Sequence, residues 1–391
     1  MRILHTADAH IGETAYSRID NETGLNARGL DFLNSFKKVA DAAVENKVDI
    51  LLVVGDFFTR VNPHPRHLYE VMKTMRRLSN QNITSIFVSG NHETPRMATT
   101  LNPLLFLEQI EKVHVVLEPE TISVEDIDLV CVATPSNFDE IKSLFEPLLQ
   151  QAMETSKSER RVLAAHIPIA QAMVSSEKAL EFFMGEDVDS GQIPPKFEYV
   201  ALGHVHKFQQ IRHPDMPVYY SGSSDRYDFV EEGEEKHAIL VEIDDQVKVE
   251  PLKIPVRELL TVVDMNCAGF TAPKITQLIL DAIEEKKNKI RDALVRIKLE
   301  RIEVDESHLI DWPRIKEALQ GYGVFDYKIQ PRTTVSLPVS KELAGEYIYP
   351  PSKELELFVK RKEEYKEISE ELLRLGREII LETKERTRSE T

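Results

Sequence analysis

Short apolar runs punctuate the first 250 residues, and stretches with helical apolar spacing lie between them. The runs within Arg2-Ile-Leu-His-Thr-Ala7, Asp49-Ile-Leu-Leu-Val-Val54, Ser85-Ile-Phe-Val-Ser89, Val162-Leu-Ala-Ala165 and Tyr199-Val-Ala-Leu202 read as buried sheet strands. Between them, 29–46 places Phe32, Phe36, Val39 and Ala43 on one helical face. The stretch 65–78 does the same with Leu68, Val71, Met72 and Met75, and Pro65 suits a first turn. Further helices are predicted at 99–107 and 139–153, and shorter strands at 113–116, 122–124, 129–133, 218–220, 238–243 and 247–250. Helices alternate with strands before Tyr199 and strands dominate after it. The expected class is α/β, a two-sheet sandwich flanked by helices.

The pattern changes near Pro255. Strand, helix, strand, helix, strand follow at 261–265, 274–285, 293–299, 312–319 and 327–330. The chain therefore reads as a first domain at 1–255, a small α+β domain at 256–336, a linker at 337–351 that contains Pro338 and Pro350, and a helical segment at 352–391. Ser352 is a plausible N-cap for the last segment. There Phe358, Tyr365, Leu372 and Ile379 recur every seven residues, with Ile368 and Leu375 between them. No later segment covers this stripe, and a proline-bearing linker precedes it, so partner docking is expected over packing on its own domain.

Length and composition narrow the class. A chain of 391 residues exceeds what one core usually covers. With 42% hydrophobic and 29% charged residues, and no run able to span a bilayer, no membrane association is expected. The N-terminus enters a strand directly and lacks a signal-peptide pattern. Cys131 and Cys267 are the two cysteines and read as buried thiols, which fits a cytoplasmic setting. The net charge of -17 counts against autonomous tight DNA binding. It does not count against a DNA substrate, because bound divalent cations or a basic partner reverse the local field.

The strand ends carry the chemistry. In order they deliver Asp8-Ala9-His10, Asp56, Asn91-His92, His166 and Gly203-His204-Val205-His206. Side chains alternate along an extended chain, so Asp8 and His10 are expected to point the same way, as are His204 and His206. Layered α/β folds gather reactive groups where strands end, which predicts one metal centre. Imidazole, carboxylate and amide donors without thiolates suit manganese, iron or zinc rather than a structural zinc site. Seven donors exceed the needs of one ion, whereas two ions about 3.5–4 Å apart sharing a carboxylate would use them all. Such a pair lowers the pKa of a water and orients it for in-line attack on phosphorus. His92, beside Asn91, is then free to protonate the leaving oxygen. Gly55 and Gly90 are expected to permit tight turns beside the ions. His5, His64, His67, His114, His213 and His237 read as packing or surface residues.

Asp8-Ala9-His10, Gly55-Asp56, Gly90-Asn91-His92, Ala165-His166 and Gly203-His204-Val205-His206 resemble the five signature blocks of calcineurin-like metallophosphoesterases. Thr6-Ala-Asp-Ala-His-Ile-Gly12, Gly55-Asp-Phe-Phe58, Ala201-Leu-Gly-His-Val-His-Lys207 and Tyr220-Ser-Gly-Ser-Ser-Asp-Arg226 are similar to the SbcD branch. That branch is the nuclease subunit of a DNA double-strand-break repair complex, called meiotic recombination eleven in eukaryotes and archaea. The resemblance implies that Asp8, His10 and His206 hold one ion and that Asn91, His166 and His204 hold the other. Asp56 would bridge them and His92 would be the catalytic acid. It also implies Mn²⁺-dependent 3′→5′ exonuclease action on duplex ends and endonuclease action on single strands or hairpins. The small α+β domain resembles the branch's capping domain. The terminal helix resembles its docking segment for the coiled coil of an SbcC-type ABC ATPase. A nucleoid-associated homodimer is implied, with Leu68, Met72, Leu104 and Leu105 as candidate interface residues.

Two positions depart from the branch. Archaeal and eukaryotic members carry a histidine directly after Gly-Asp-x-Phe, where this chain has Thr59. Tyr16, Thr59 and Arg60 are the candidate substrate contacts, with His64 a further substitute for the missing group. Glu93 stands where aspartate usually follows Gly-Asn-His, and its extra length bears on the orientation of His92. The loop 16–28, with Arg18 and Arg28, reads as a charged solvent loop, with an approach to DNA as the sharper alternative. Two other functions compete. A small-molecule phosphodiesterase or phosphatase fits the acidic charge but leaves the second domain and the terminal helix without a use. A non-catalytic scaffold for the ATPase fits the helix but not the complete ligand set.

Overall fold

Apolar runs without polar alternation need cover on both faces, and two stacked six-stranded sheets provide it. The first sheet takes β1 (Arg2–Thr6), β2 (Ile50–Val54), β3 (Thr84–Val88) and β4 (Val113–Val116), all parallel. The second takes β5 (Glu120–Val124), β6 (Ile127–Val132), β7 (Arg160–His166), β8 (Tyr199–Gly203), β9 (Gln209–Ile211) and β10 (Val218–Tyr220), in the order β5-β6-β7-β8-β10-β9. The chain then returns to the first sheet, where β11 (Lys236–Ile243) pairs antiparallel with β1 and β12 (Val247–Ile254) extends that edge. The computed structural model describes residues 1–97, 99–173, 187–334 and 371–376.

The period-two rule sorts the core. Ile3, Ile50, Leu52, Val54, Ile86 and Val88 face the second sheet, meeting Leu129, Cys131, Val162, Ala164, Tyr199 and Ala201. Leu4, Leu51, Val53 and Phe87 face the other way, against helices α1 (Ala27–Glu45) and α2 (Pro65–Asn80). The outer face of the second sheet packs on Ile141, Phe145 and Leu149 of α3 (Ile141–Met153). The result is helix, sheet, sheet, helix: the expected α/β sandwich. Asn26 starts α1 by accepting a hydrogen bond from the Gly29 amide at 3.0 Å, and Pro65 occupies the first turn of α2.

Three sequence expectations change here. The helix expected at 99–107 is a 3₁₀ stretch, Pro103–Gln109, capped by Asn102. Pro103 lacks an amide hydrogen and disfavours an α conformation at the residue before it, so the helix cannot start where the apolar pattern does. The strand β9 carries no apolar alternation and has no counterpart among the expected elements. Leu104 is fully buried in the core beneath the helices, so it offers nothing to an interface. Leu68 and Met72 pack partly against the same core, while Tyr69 in α2, and Leu101 and Phe106 at the 3₁₀ stretch, are exposed.

A third, three-stranded sheet follows: β13 (Leu259–Asn266), β14 (Leu294–Glu303) and β15 (Asp326–Thr334). Its own core is built with Ile275, Ile279 and Ile283 of α4 (Ala272–Glu285) and Ile315 and Leu319 of α5 (Trp312–Gly321). Charged and aromatic groups join it to the sandwich. Arg257 lies 3.5 Å above the Phe325 ring and pairs with Asp31 and Asp292. Arg28 sits in the first turn of α1, 1% exposed, and pairs with Asp225 at 2.7 Å and Asp31 at 2.9 Å. The solvent-loop reading of Arg28 is thus corrected, because the buried Asp225 and the partly buried Asp31 draw it inward. Arg18 lies over Phe325 and donates to its carbonyl.

These elements form one compact unit, Met1–Thr333, and Thr334–Thr391 form a second. The linker at 337–351 and the heptad positions Phe358, Tyr365, Ile368 and Ile379 lie outside the described residues, while 371–376, with Leu372 and Leu375, are helical. Cys131 and Cys267 are free and buried. Among the described residues no helix is long and apolar enough to cross a membrane.

Candidate metal centre

Past the last ladder bonds, the chains leaving β1 and β2 stay side by side. The Asp8 amide donates to the Gly55 carbonyl (3.1 Å), that of His10 to Asp56 (3.0 Å) and that of Ile11 to Phe57 (2.9 Å). Phe57 and Phe58 anchor this loop in the core; Phe57 packs edge-on against Phe36, Phe58 and Phe87. The backbone turns left-handed at Asp8 (φ 51°), His10 (φ 44°), Asp56 (φ 47°) and His204 (φ 98°). Such conformations cost non-glycine residues energy and cluster at functional sites. They also correct the alternation argument. Asp8 and His10 converge because the backbone twists at each of them, not because a strand continues. His204 and His206 fall in different donor groups.

Three overlapping groups of donors result: Asp8, His10 and His206; Asp56, His166 and His204; and His10, Asp56 and His92. Within each group the donor atoms lie within 4.8 Å of one another. The first two groups draw ligands from both sheets. Asn91 joins the second, its Oδ1 standing 3.1 Å from His166 Nε2. All the strand-end donors are thereby brought to one rim.

Close packing aims the rings. His166 Nδ1 donates to the Val54 carbonyl at 3.0 Å, which turns Nε2 towards Asp56 Oδ2 at 3.3 Å. A Cβ at Gly203 would stand 1.9 Å from that carbonyl and 2.7 Å from His166 Nδ1, so only glycine fits. A Cβ at Gly90 would stand 2.2 Å from the Asp56 amide nitrogen. Gly90 therefore allows the close approach of the Asp56 loop, and its carbonyl accepts from the Thr94 amide at 3.2 Å, closing the turn expected there. The Asp8 carboxylate accepts from the His204 amide, and Asp56 Oδ1 accepts from the His92 amide at 2.9 Å.

The electrostatics suit cations. Burial pushes the Asp56 carboxyl up, but His166, His92 and His10 outweigh it and hold Asp56 well below the carboxylate range. Burial pushes His204 down to about 3, leaving a neutral imidazole. Burial also raises Asp8, against the pull of His166 and His206. His10 Nε2 and His206 Nε2 face each other at 3.0 Å, and the buried His10 Nδ1 has no partner. Two facing imidazole nitrogens share at most one proton, so the lone pairs here exceed the available hydrogens. This nitrogen and oxygen donor set, with two carboxylates at its centre, fits divalent cations.

His92 differs from the ligands. Its side chain is 38% exposed; Nδ1 donates to the Thr59 carbonyl at 2.9 Å and Nε2 lies 3.7 Å from Asp56 Oδ2. Glu93 does not orient it. The buried Glu93 carboxylate accepts from the amides of Gly90 (3.0 Å) and Phe57 (3.3 Å), bracing the loops on either side of Asp56. Burial and the Asp56 charge push Glu93 above the usual carboxylate range. Thr59 donates its hydroxyl to the His10 carbonyl at 2.7 Å. Arg60 is exposed, 3.4 Å from the Thr14 hydroxyl. Tyr16 packs with Phe229, Leu259 and Leu294 against the third sheet. Sequence reasoning missed Glu231, whose Oε1 accepts from His206 Nδ1 at 2.9 Å, and Tyr227, whose ring lies 5.1 Å from His10. Glu231 sits in an acidic run that reads as solvated surface, and no local signal marks it.

A sandwich with paired carboxylates and histidines gathered at its strand ends defines a class. Residues 1–208, more than half of the chain, match the calcineurin-like phosphoesterase family, and the protein belongs to that family. Among curated proteins it is similar to the SbcD component of the SbcCD nuclease of Bacillus subtilis, at 30% identity over 62% of this chain and 66% of that one. It is also similar to "DNA double-strand break repair protein Mre11" of Methanocaldococcus jannaschii, at 29% identity over 58% of this chain and 57% of that one. The same protein of Saccharolobus solfataricus is 25% identical over 56% and 52% of the two chains. The chain thus spans between half and two thirds of the lengths of these relatives.

Proposed function

We propose that the protein is the nuclease subunit of a DNA-end-processing assembly, a two-metal phosphodiesterase acting on DNA. The observation that carries the reading is the overlap of the donor groups, in which Asp56 sits with His166 and His204 and also with His10 and His92, with the exposed His92 at the rim. Asp8, His10 and His206 would hold one ion, Asn91, His166 and His204 the other, and Asp56 would bridge. When bound, a pair of divalent ions neutralises phosphate charge and lowers the pKa of a water for in-line attack. The chain's own groups do the rest. Asp56 and Asp8 hold the negative charge that makes the rim attractive to cations, and the backbone bonds fix His166 for its task. His92, tied through Nδ1 to the Thr59 carbonyl, presents Nε2 for proton donation to the leaving oxygen.

The finer reading follows the resemblance to the SbcD branch: Mn²⁺-dependent 3′→5′ exonuclease and single-strand endonuclease action, with an SbcC-type ABC ATPase docked on 352–391. A homodimer through α2 and the 3₁₀ stretch is part of it, using Leu68, Met72 and Leu105 with the exposed Tyr69, Leu101 and Phe106. The test is digestion of end-labelled duplex DNA with Mn²⁺ by wild type and His92→Ser, with and without the ATPase. Degradation by wild type that His92→Ser abolishes at equal metal content supports the reading. Turnover of a small aryl phosphodiester with DNA left intact under every condition favours the small-molecule alternative.

A further inference from the structure

His166 and His206 are aimed by different devices. His166 gives its Nδ1 hydrogen to a backbone carbonyl inside the sandwich. His206 gives its own to the Glu231 carboxylate at 2.9 Å, leaving Nε2 to face His10. Glu231 is buried and fully engaged: its second oxygen accepts from Lys236 Nζ at 2.6 Å and from the Tyr227 amide at 2.9 Å. Lys236, 2% exposed, also donates to the His206 carbonyl (3.2 Å) and the Ser223 hydroxyl (3.0 Å). A carboxylate held this way fixes both the ring angle and the tautomer of the histidine it contacts.

The short turn that carries Glu231, Phe229–Glu231, is gripped by the third sheet. Phe229 packs on Leu259 and Leu294, and the Arg296 guanidinium lies 4.7 Å above its ring. The next residue, Glu232, accepts from the Thr261 amide at 2.7 Å and from its hydroxyl. Residues 229 and 232 hold the three-stranded sheet, while residue 231 between them holds His206.

We propose that Glu231 is a positioning residue for His206, and that its turn transmits the placement of the three-stranded sheet to one half of the metal centre. The inference rests on the two-ion reading above. Displacing the sheet drags Phe229 and Glu232, and Glu231 with them, whereas His166 answers to the sandwich backbone alone.

The test is calorimetric titration of the full-length, metal-free protein with Mn²⁺, together with electron paramagnetic resonance of the half-loaded and loaded forms. Glu231→Gln combined with Lys236→Met removes the carboxylate and its closest counter-charge together. Wild type is expected to bind two ions. The double variant should keep one at wild-type affinity and bind the other about 10–100-fold more weakly, the usual cost of losing an outer partner of a ligand. Its half-loaded spectrum should then be that of an isolated ion. Phe229→Ala and, as a milder change, Glu232→Gln should weaken the same ion selectively. Unchanged affinities in the double variant overturn the positioning role, and so does equal loss of both ions, which would mark a general structural defect. Unchanged affinities in both Phe229→Ala and Glu232→Gln overturn the transmission. Fewer than two ions in wild type would instead sink the two-ion reading, and this inference with it.

Discussion

Replacing Gly203 with alanine tests whether the spacing between the sheets sets the aim of His166. The added methyl would stand 1.9 Å from the Val54 carbonyl oxygen, 2.7 Å from His166 Nδ1 and 3.0 Å from the Ala7 Cβ. The first and last belong to the first sheet and the second to the other, so no single side chain can yield to make room. Overpacking of this kind costs about 1–3 kcal/mol. Losing the hydrogen bond from His166 Nδ1 to Val54 adds about 1 kcal/mol. Urea unfolding of the metal-free protein should therefore show Gly203→Ala about 2–4 kcal/mol less stable than wild type. Loss of that orienting partner should also weaken the ion proposed at His166 about 10–100-fold. Gly321→Ala is the control, since a Cβ there meets nothing within 4 Å. If Gly203→Ala unfolds within about 0.5 kcal/mol of wild type, the level expected of a neutral surface change, and takes up metal normally, the close-packing argument is wrong.

Arg28→Met should destabilise the protein by about 3–5 kcal/mol in the same assay, because Asp225 keeps its charge in a buried site without its partner. Asp128 accepts hydrogen bonds from Ser123, Ser156, Lys157 and Ser158. Burial opposes these bonds, but together they hold its carboxyl down at about 2. A depressed folded-state pKa stabilises above the unfolded value and loses that contribution as pH falls through the folded one. Asp128 should thus contribute about 2 kcal/mol at neutral pH, fading between pH of about 4 and 2. An acid titration of stability should lose that slice in Asp128→Asn. Mn²⁺ at a hundredfold excess over its dissociation constant should raise stability by about 2.7 kcal/mol per ion over chelator-treated protein, read as a higher melting temperature. No shift with any divalent metal would contradict the assignment of the centre.

Much of the architecture was legible because the strands obey simple rules. Runs such as Ile-Leu-Leu-Val-Val at 50–54 are apolar at every position, which only a doubly covered strand tolerates. The blocks at their ends were legible as donors for the same reason, since a charged group directly after a buried run has little choice but the rim. What escaped depends on partners far along the chain. Arg28 looks like surface until Asp225 is placed beside it, and Glu231 looks solvated until His206 arrives. The conformations at Asp8 and His10 were equally hidden, because the twist that joins them is imposed by the neighbouring loop after β2 rather than by their own sequence.

The division of ligands between the two sheets has a consequence for how the chain is made. Asp8, His10, Asp56 and Asn91 emerge early, but the two groups proposed to hold the ions do not close until His204 and His206 have been synthesised. A nascent chain that has only β1 to β4 therefore offers the His10, Asp56 and His92 group, but neither of the two groups proposed to hold the ions. The proposed capacity to cut phosphodiesters would be withheld from folding intermediates that lack those two histidines. A product terminated before His204 would lack both proposed ion sites, without any inhibitor to keep it so.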